Sequence, residues 1–254
     1  MVCERGLARK VNTVYLINMS DELSPRERRR RAMHERILDT ALELVVNHGF
    51  DALTMGRLAR ELDYTPGAIY RYYDGKDQII DALTARVVLS FGQVVVGVRD
   101  DLSGSSELVR IVAMLRSYRQ LGVQAPHRFG LISLLMAEPR VILPDATASS
   151  SAFTSVMGAL APLIQSFEGA SSAGELHPGL AMDRSLVAFS AVHGLMQLRK
   201  QERHMVGLVD LDRLCDETSR ALLVGWGASR SQVEVALRTV NTLGDLLARS
   251  GGLT

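Results

Sequence analysis

The chain has 254 residues, with 29 Lys and Arg against 28 Asp and Glu, 47% apolar residues and 5% aromatics. An ordinary apolar fraction and a net charge of +1 exclude wholesale disorder, and only two cysteines, Cys3 and Cys215, exclude a disulfide framework or a cysteine-rich zinc site and fit a reducing cytoplasm. No unbroken apolar run reaches the roughly 18 residues of a bilayer span, since Val87–Val98 is interrupted by Ser90, Gly92, Gln93 and Gly97; no membrane partner is expected, and the length allows one or two domains.

Residues 1–25 differ from the rest. Arg5, Arg9 and Lys10 precede the apolar patch Val14–Ile17, which is shorter than the roughly 7–15 residues of a secretory signal. The segment reads as a disordered tail or as a start codon placed too early, because Met19 opens a polar stretch that runs into Arg26. Arg26 and Arg28–Arg31 then form a basic cluster just ahead of the first helix. It is either a solvated tail or an arm that tracks phosphates or enters a minor groove.

The punctuation that follows is helical. Behind Ser24 and Pro25, the residues Ile37, Leu38, Ala41, Leu42, Leu44 and Val45 fall at helical spacing. Gly49 suits a left-handed cap after Asn47 and His48. Thr54 caps a short helix with Leu58, Ala59 and Leu62; Thr65 and Pro66 open a third, ended by Asp74-Gly75. A long helix is predicted for Lys76–Asp101 and another from Glu107 to about Ala125, with boundaries at Pro126, Pro139, Pro144 and Pro178. Later helical runs cover 145–168, 182–204, 210–226 and 229–249, with a Gly/Ser-rich loop over 169–179. Alternating patterns are nearly absent, so the fold class is all-α.

Three short helices in about 50 residues make a small three-helix unit, and the two-residue link Asp63-Tyr64 has the length of a helix-turn-helix connection. In such a motif the second helix enters the major groove by its N-terminal end. Thr65, Pro66, Gly67 and Ala68 are small enough for close approach to base edges, and Arg71 lies a turn further on. Tyr70 and Tyr72 reach phosphates, while Thr54 and Lys76 stand at helix starts where N–H groups favour phosphate oxygens. Lys76 is one of only three lysines, with Lys10 and Lys200. Residues 21–80 hold 10 basic and 11 acidic side chains; net charge bounds non-specific affinity but does not decide whether a groove-reading surface exists.

The residues Gly49-Phe50, Thr54, Leu58-Ala59, Thr65-Pro66-Gly67-Ala68-Ile69-Tyr70-Arg71-Tyr72-Tyr73 and Lys76-Asp77 resemble, in order and with unbroken spacing, the DNA-binding domain of the tetracycline-repressor-like (TetR/AcrR) regulators. Two positions depart. Asp63-Tyr64 replaces the usual Gly-Val turn, although Asp tolerates the left-handed conformation, and Tyr73 stands where Phe is usual. More loosely, Tyr118, Ala125-Pro126-His127-Arg128-Phe129 and Val192-His193-Gly194 resemble the Trp-His-Gly branch of that family, with Val192 in place of Trp.

The resemblance implies an N-terminal helix-turn-helix domain over 26–76 and an effector-binding and dimerisation domain over 77–254. It implies a cytoplasmic homodimeric repressor, released from a palindromic operator in double-stranded DNA by a small apolar ligand. The candidate DNA-binding residues are Thr54, Arg57, Thr65, Pro66, Gly67, Ala68, Tyr70, Arg71, Tyr72 and Lys76. Candidates for the effector site are Met114, Tyr118, Phe129, Leu135 and Met136, with Arg110, Arg116 or Arg119 able to meet a carboxylate or to stand exposed on their helices. The dimer is expected on helices 182–204 and 210–227. The stripe Val233, Ala236, Leu237, Val240, Leu243, Leu246 and Leu247 would extend that bundle or cover the monomer core.

His127, His193, His204 and Cys215 match no metal-ligand spacing, and His193 is expected to pack where helices cross. No Gly-x-Ser-x-Gly elbow or phosphate loop is present, so no enzyme, cofactor or metal is expected. A helical ligand-binding or interaction protein that has lost DNA binding is the alternative, and the Asp63-Tyr64 turn is the feature that favours it.

Overall fold

The computed structural model describes residues 24–137, 151–205, 207 and 209–249. The expectations about residues 1–23, Pro139, Pro144 and the side chains of Leu246 and Leu247 lie outside the described residues. Every element among those described is a helix, and the chain forms two compact units that divide after Ile79.

In the N-terminal unit, α1 covers Pro25–His48. Ser24 and Glu27 make a capping box: the Glu27 amide donates to Ser24 Oγ (3.3 Å), and the Ser24 amide donates to Glu27 Oε2 (2.8 Å). Pro25 takes the first helical position, where its missing N–H costs nothing. The helix therefore begins before the arginines, so Arg26 and Arg28–Arg31 belong to its first two turns and are not an arm ahead of it. Its buried stripe is Ile37, Leu38, Ala41, Leu42, Leu44 and Val45. Gly49 ends the helix with φ 79° and ψ 172°. The positive φ was expected, but the extended ψ puts the residue outside the left-handed helical region, in one that only glycine occupies readily.

After a 3₁₀ turn at Phe50–Ala52, α2 covers Met55–Glu61 and α3 covers Pro66–Ile69. The third helix is thus shorter than its predicted span: one helical turn, prolonged by turn residues through Tyr72. The core of the unit includes Phe50, Leu53, Leu58, Ile69 and Tyr73.

The boundary falls within α4, Lys76–Asp101. By length and composition α4 is apolar enough to cross a membrane, a test its average passes although no unbroken run does. Its Leu83, Val87, Phe91 and Val95 are buried, each four residues after the last, which is the stripe of a helix packed on a core. Gly92 allows close approach, since a Cβ there would meet the Ala159 Cβ at 3.0 Å.

The C-terminal unit is built around α5, Glu107–Gln124, which is buried nearly all round from Leu108 to Leu115 and packs against α6 (Pro126–Ala137), α7 (Ser151–Ser172), α8 (Ala181–Met196), α10 (Leu211–Gly225) and α11 (Arg230–Arg249). Two expectations change. The predicted run 182–204 breaks at Gln197-Leu198 into α8 and a short α9, Arg199–His204. The predicted loop at 169–179 is helical as far as Ser172, because Ala170 is fully buried and Gly169 lies against the Glu107 side chain. The remainder of that loop is pinned. Arg184 donates to Ser171 Oγ (3.1 Å) and to the His177 carbonyl (2.9 Å) and stands over the Trp226 ring. The α11 stripe, with Val233, Ala236, Leu237 and Val240 buried, packs on α5 and α10, so it covers the core of its own chain.

Candidate nucleic-acid interface and ligand cluster

The link between α2 and α3 is a fully hydrogen-bonded turn. Asp63 has φ 59°, the one positive φ outside glycine among the described residues. Its N–H donates to the Arg60 carbonyl (3.1 Å), and the Tyr64 N–H reaches back to the Ala59 carbonyl (2.8 Å). These are the two bonds of a Schellman ending, which satisfy carbonyls that the end of a helix leaves open. Asp63 thus supplies what glycine supplies elsewhere, and Tyr64 points outward.

The turn leaves all but one of the α3 candidates Thr65, Pro66, Gly67, Ala68, Tyr70 and Arg71 exposed. Thr65, Pro66, Gly67, Tyr70 and Arg71 are exposed; Tyr70 keeps 51% of its surface. Thr65 holds the N-cap position without a side-chain cap bond, so its hydroxyl stays available. Ala68 is only 8% exposed and packs inward beside Ile69, because a one-turn helix must give one face to the core; its methyl is not part of the outer surface. A Cβ built on Gly67 would meet nothing within 4 Å. Packing within the chain therefore does not require glycine there, although glycine weakens a helix by roughly 0.5–1 kcal/mol relative to alanine.

The flanking positions are held by the fold. Thr54 Oγ1 accepts from the Arg57 amide (3.1 Å) and caps α2. Arg57 and Tyr72 are half-buried. Tyr72 and Tyr73 meet the edge of the His34 ring at centroid distances of 5.3 and 5.1 Å, and burial, helped by the Arg30 charge, lowers the His34 pKa. Lys76 was expected to face phosphate, but its Nζ donates to the Phe50 carbonyl (2.5 Å). This ties the start of α4 to the 3₁₀ turn and uses one of its three donors. No sequence pattern announces that bond across 26 positions.

In the C-terminal unit Met114, Tyr118 and Phe129 are buried, whereas Leu135 is half-buried and Met136 is 54% exposed near the end of α6. Tyr118 and Phe129 come together around His193, whose ring lies 4.9 Å from Phe129 and 5.8 Å from Phe189. The Tyr118 hydroxyl and His193 Nδ1 are 2.8 Å apart, and the Gln197 amide nitrogen lies 3.1 Å from His193 Nε2 and donates to Ser133 Oγ (2.9 Å). An amide N–H facing Nε2 makes that nitrogen the acceptor, so the ring proton sits on Nδ1 and is donated to the tyrosine oxygen. The Tyr118 O–H is then the donor this cluster still has to offer. Burial favours both neutral forms: it lowers the His193 pKa and raises that of Tyr118. Gly122 lets Met196 and Phe129 close over the same region.

The arginines considered for a carboxylate ligand are engaged within the unit. Arg116 pairs with Asp216 (2.5 Å), and Arg119 with Asp212 (2.8 Å). Arg110 binds Glu107 and the carbonyls of Leu102 and Ser103. Cys215 lies buried between the two cross-helix pairs, and burial pushes its thiol up to about 11. Among the described residues no three His, Cys, Asp or Glu side chains form a group able to hold a metal ion. The Tyr118–His193–Gln197–Ser133 chain was not legible as a set. Only the i, i+4 spacing of His193 and Gln197 hinted at it.

Residues 37–83 match the model of the family described as bacterial regulatory proteins, tetR family. Over 130 residues the chain is 26% identical to the HTH-type transcriptional regulator Rv1816 of Mycobacterium tuberculosis, an alignment covering 51% of this chain and 55% of that protein; it therefore spans about half the length of the curated relatives it matches. Among solved structures it resembles a protein of unknown function from Rhodococcus sp. RHA1 (TM-score 0.61, 21% identity, 76% of this chain and 94% of that one). It also resembles SmeT, the repressor of the Stenotrophomonas maltophilia multidrug efflux pump SmeDEF (TM-score 0.59, 18% identity, 76% and 89%). These likenesses show the fold: an all-α chain with an N-terminal helix-turn-helix and a helical C-terminal domain.

Proposed function

We propose that this chain is a cytoplasmic tetR-family transcriptional repressor. It reads duplex DNA through the helix-turn-helix of residues 26–76 and uses residues 77–254 to dimerise and to bind an effector. The observation that carries the proposal is the exposed face of α3, where Thr65, Pro66, Gly67, Tyr70 and Arg71 stand clear of the core behind a closed turn, inside the segment that the family model matches. A glycine that packing does not require fits a surface that something else approaches closely. Thr54, Arg57, Tyr72 and Lys76 position and flank that face. The complete Schellman turn at Asp63 keeps the link closed without glycine and so supports this reading over one in which DNA binding has been lost.

Homodimerisation on a palindrome follows from size, since one small module buries too little DNA for high specificity. The exposed face of α8 supports it. Met182, Leu186 and Val187 are apolar and exposed, and Ser190 and Gly194 continue the stripe with side chains small enough for a partner helix to approach. Ala221 and Gly225 do the same on α10. The effector is a small, largely apolar molecule that meets the ring cluster of Tyr118, Phe129 and His193 and accepts a hydrogen bond from Tyr118. To release the operator it must bind the released state more tightly. The bond between Tyr118 and His193 also supports placing this unit with the Trp-His-Gly branch.

Genome-wide selection of duplex fragments with the purified chain tests the proposal. An enriched palindrome is expected, bound as a dimer, with Tyr70→Ala and Arg71→Ala each weakening binding by about 1–3 kcal/mol while thermal stability stays unchanged. A chain that enriches no sequence overturns it.

A further inference from the structure

Arg110, Arg116 and Arg119 hold carboxylates, and Arg184 holds a carbonyl and a hydroxyl. Arg199, the first residue of α9, is half-buried and holds nothing of the kind. Its Nη1 is buried without a hydrogen-bond partner, and no carboxylate among the described residues pairs with it. What it touches is the Phe129 ring: the guanidinium carbon stands 5.1 Å from the ring centroid. A ring face attracts a cation only weakly and gives its N–H groups no acceptor. A buried guanidinium nitrogen in that state works against the stability of the unliganded chain.

The position of Arg199 depends on a break in the helix. The Gln197 and Leu198 amides donate to carbonyls three residues back (3.1 and 2.9 Å), and α8 ends there. On an unbroken helix a side chain six positions after His193 would point about 120° away from it; across the break, Arg199 and His193 meet the same ring. Since the His193 ring lies 4.9 Å from that of Phe129, the guanidinium is no more than about 10 Å from the imidazole. One small molecule can span both. The edge of the cluster is open to solvent on this side: Gln197 and Leu198 are exposed, and so is Met136, one turn beyond Ser133 on α6.

We propose that Arg199 selects the effector by charge, and that the effector is an aryl monocarboxylate. Its carboxylate pairs with the Arg199 guanidinium at the open edge, its ring lies against Phe129 and His193, and an oxygen on the far side of the ring accepts from Tyr118. The proposal rests on the reading of this cluster as the effector site. A carboxylate supplies what Nη1 lacks, both in charge and in the paired acceptors that fit a guanidinium fork. An aromatic body suits a wall of rings, with which it stacks offset or edge-on. Arg116 and Arg119 could answer a carboxylate only by giving up Asp216 and Asp212; Arg199 gives up nothing.

The test is isothermal titration calorimetry of the full chain at fixed ionic strength. The probes are para-hydroxyphenyl alkanoates, from the acetate to the hexanoate, and the matching amides. At least one acid is expected to bind about tenfold or more tightly than its amide, as a charge-assisted pair requires. Arg199→Gln brings that acid down to the level of the amide and leaves the amide unchanged, while Arg199→Lys, a charge without the fork, keeps part of the preference. Arg199→Met keeps the stem against Phe129, so the thermal midpoint of the unliganded chain holds or rises, whereas an arginine with a purely structural role would lower it. Acids no tighter than their amides overturn the proposal, as do a preference that survives Arg199→Gln and a lowered midpoint in Arg199→Met. Acetate binding as tightly as the best aryl acid also overturns it, and so does a series that binds in neither form. Failure of the effector-site reading has a different signature: acid and amide both bind, and Tyr118→Phe, expected to weaken the two alike, changes neither.

Discussion

In the N-terminal unit the side chains with chemistry to offer, Thr65, Tyr70 and Arg71, stand outside the core. In the C-terminal unit the corresponding groups, Tyr118 and His193, lie inside it and satisfy one another. The first arrangement separates stability from recognition, because backbone turns and caps hold the surface while its residues contribute little to folding. The second joins them, since any molecule that engages Tyr118 or His193 must enter a region whose packing holds the unit together. A reader of DNA needs a surface that is ready before contact, whereas a switch needs a core whose arrangement responds to occupancy.

The largest expected effect that would test this contrast is at Phe129, which is 1% exposed in the ring cluster. Phe129→Ala is expected to destabilise the C-terminal unit by about 3–5 kcal/mol, measured by denaturant unfolding; a loss under about 1 kcal/mol would mean that the cluster is not core. Gly49→Ala forces an L-residue to φ 79°, ψ 172° and should cost about 1–3 kcal/mol in the N-terminal unit, read from its thermal transition. Tyr118→Phe leaves His193 Nδ1–H without its partner and should cost about 1–3 kcal/mol, with a double-mutant cycle against His193→Phe giving strong coupling. No coupling would reduce the pair to coincident packing.

Acidity probes the same pair. The folded-state pKa of His193 lies below the ordinary 6.5 because burial disfavours the cation. The unfolded chain therefore binds more protons in the window below 6.5, and stability is full above that pH and falls as the pH drops toward the lowered value. His34, lowered for the same principal reason, adds in the same direction. Thermal midpoints between about pH 7.5 and 5 should show the decline, less steeply in His193→Gln. The smallest effect is the most discriminating. Gly67→Ala should stabilise the fold by about 0.4–1 kcal/mol and yet weaken operator binding; improvement in both would show that the open space over Gly67 is not a contact surface.

What the sequence made legible follows range. The caps at Ser24 and Thr54 and the left-handed Asp63 are settled by bonds spanning three to five residues, and such bonds leave a mark on residue type. The break in the predicted 182–204 run and the continuation of α7 through Gly169-Ala170 depended on what packs against them from elsewhere, so the local pattern misled. For the candidate site the same division holds. The exposed face of α3 was readable because the family pattern is itself local. The Lys76–Phe50 bond and the Tyr118–His193 pair join residues 26 and 75 positions apart and have no local signature. The inward turn of Ala68 was missed because small residues suit both a groove and a core.

Cys215 carries a practical consequence. A thiol with a pKa of about 11, enclosed between the Arg116–Asp216 and Arg119–Asp212 pairs, is nearly all protonated at neutral pH and so almost inert to alkylating reagents. Its labelling rate therefore reports how often the packing around this face of α10 opens, and the protein carries a chemical clock for its own local opening.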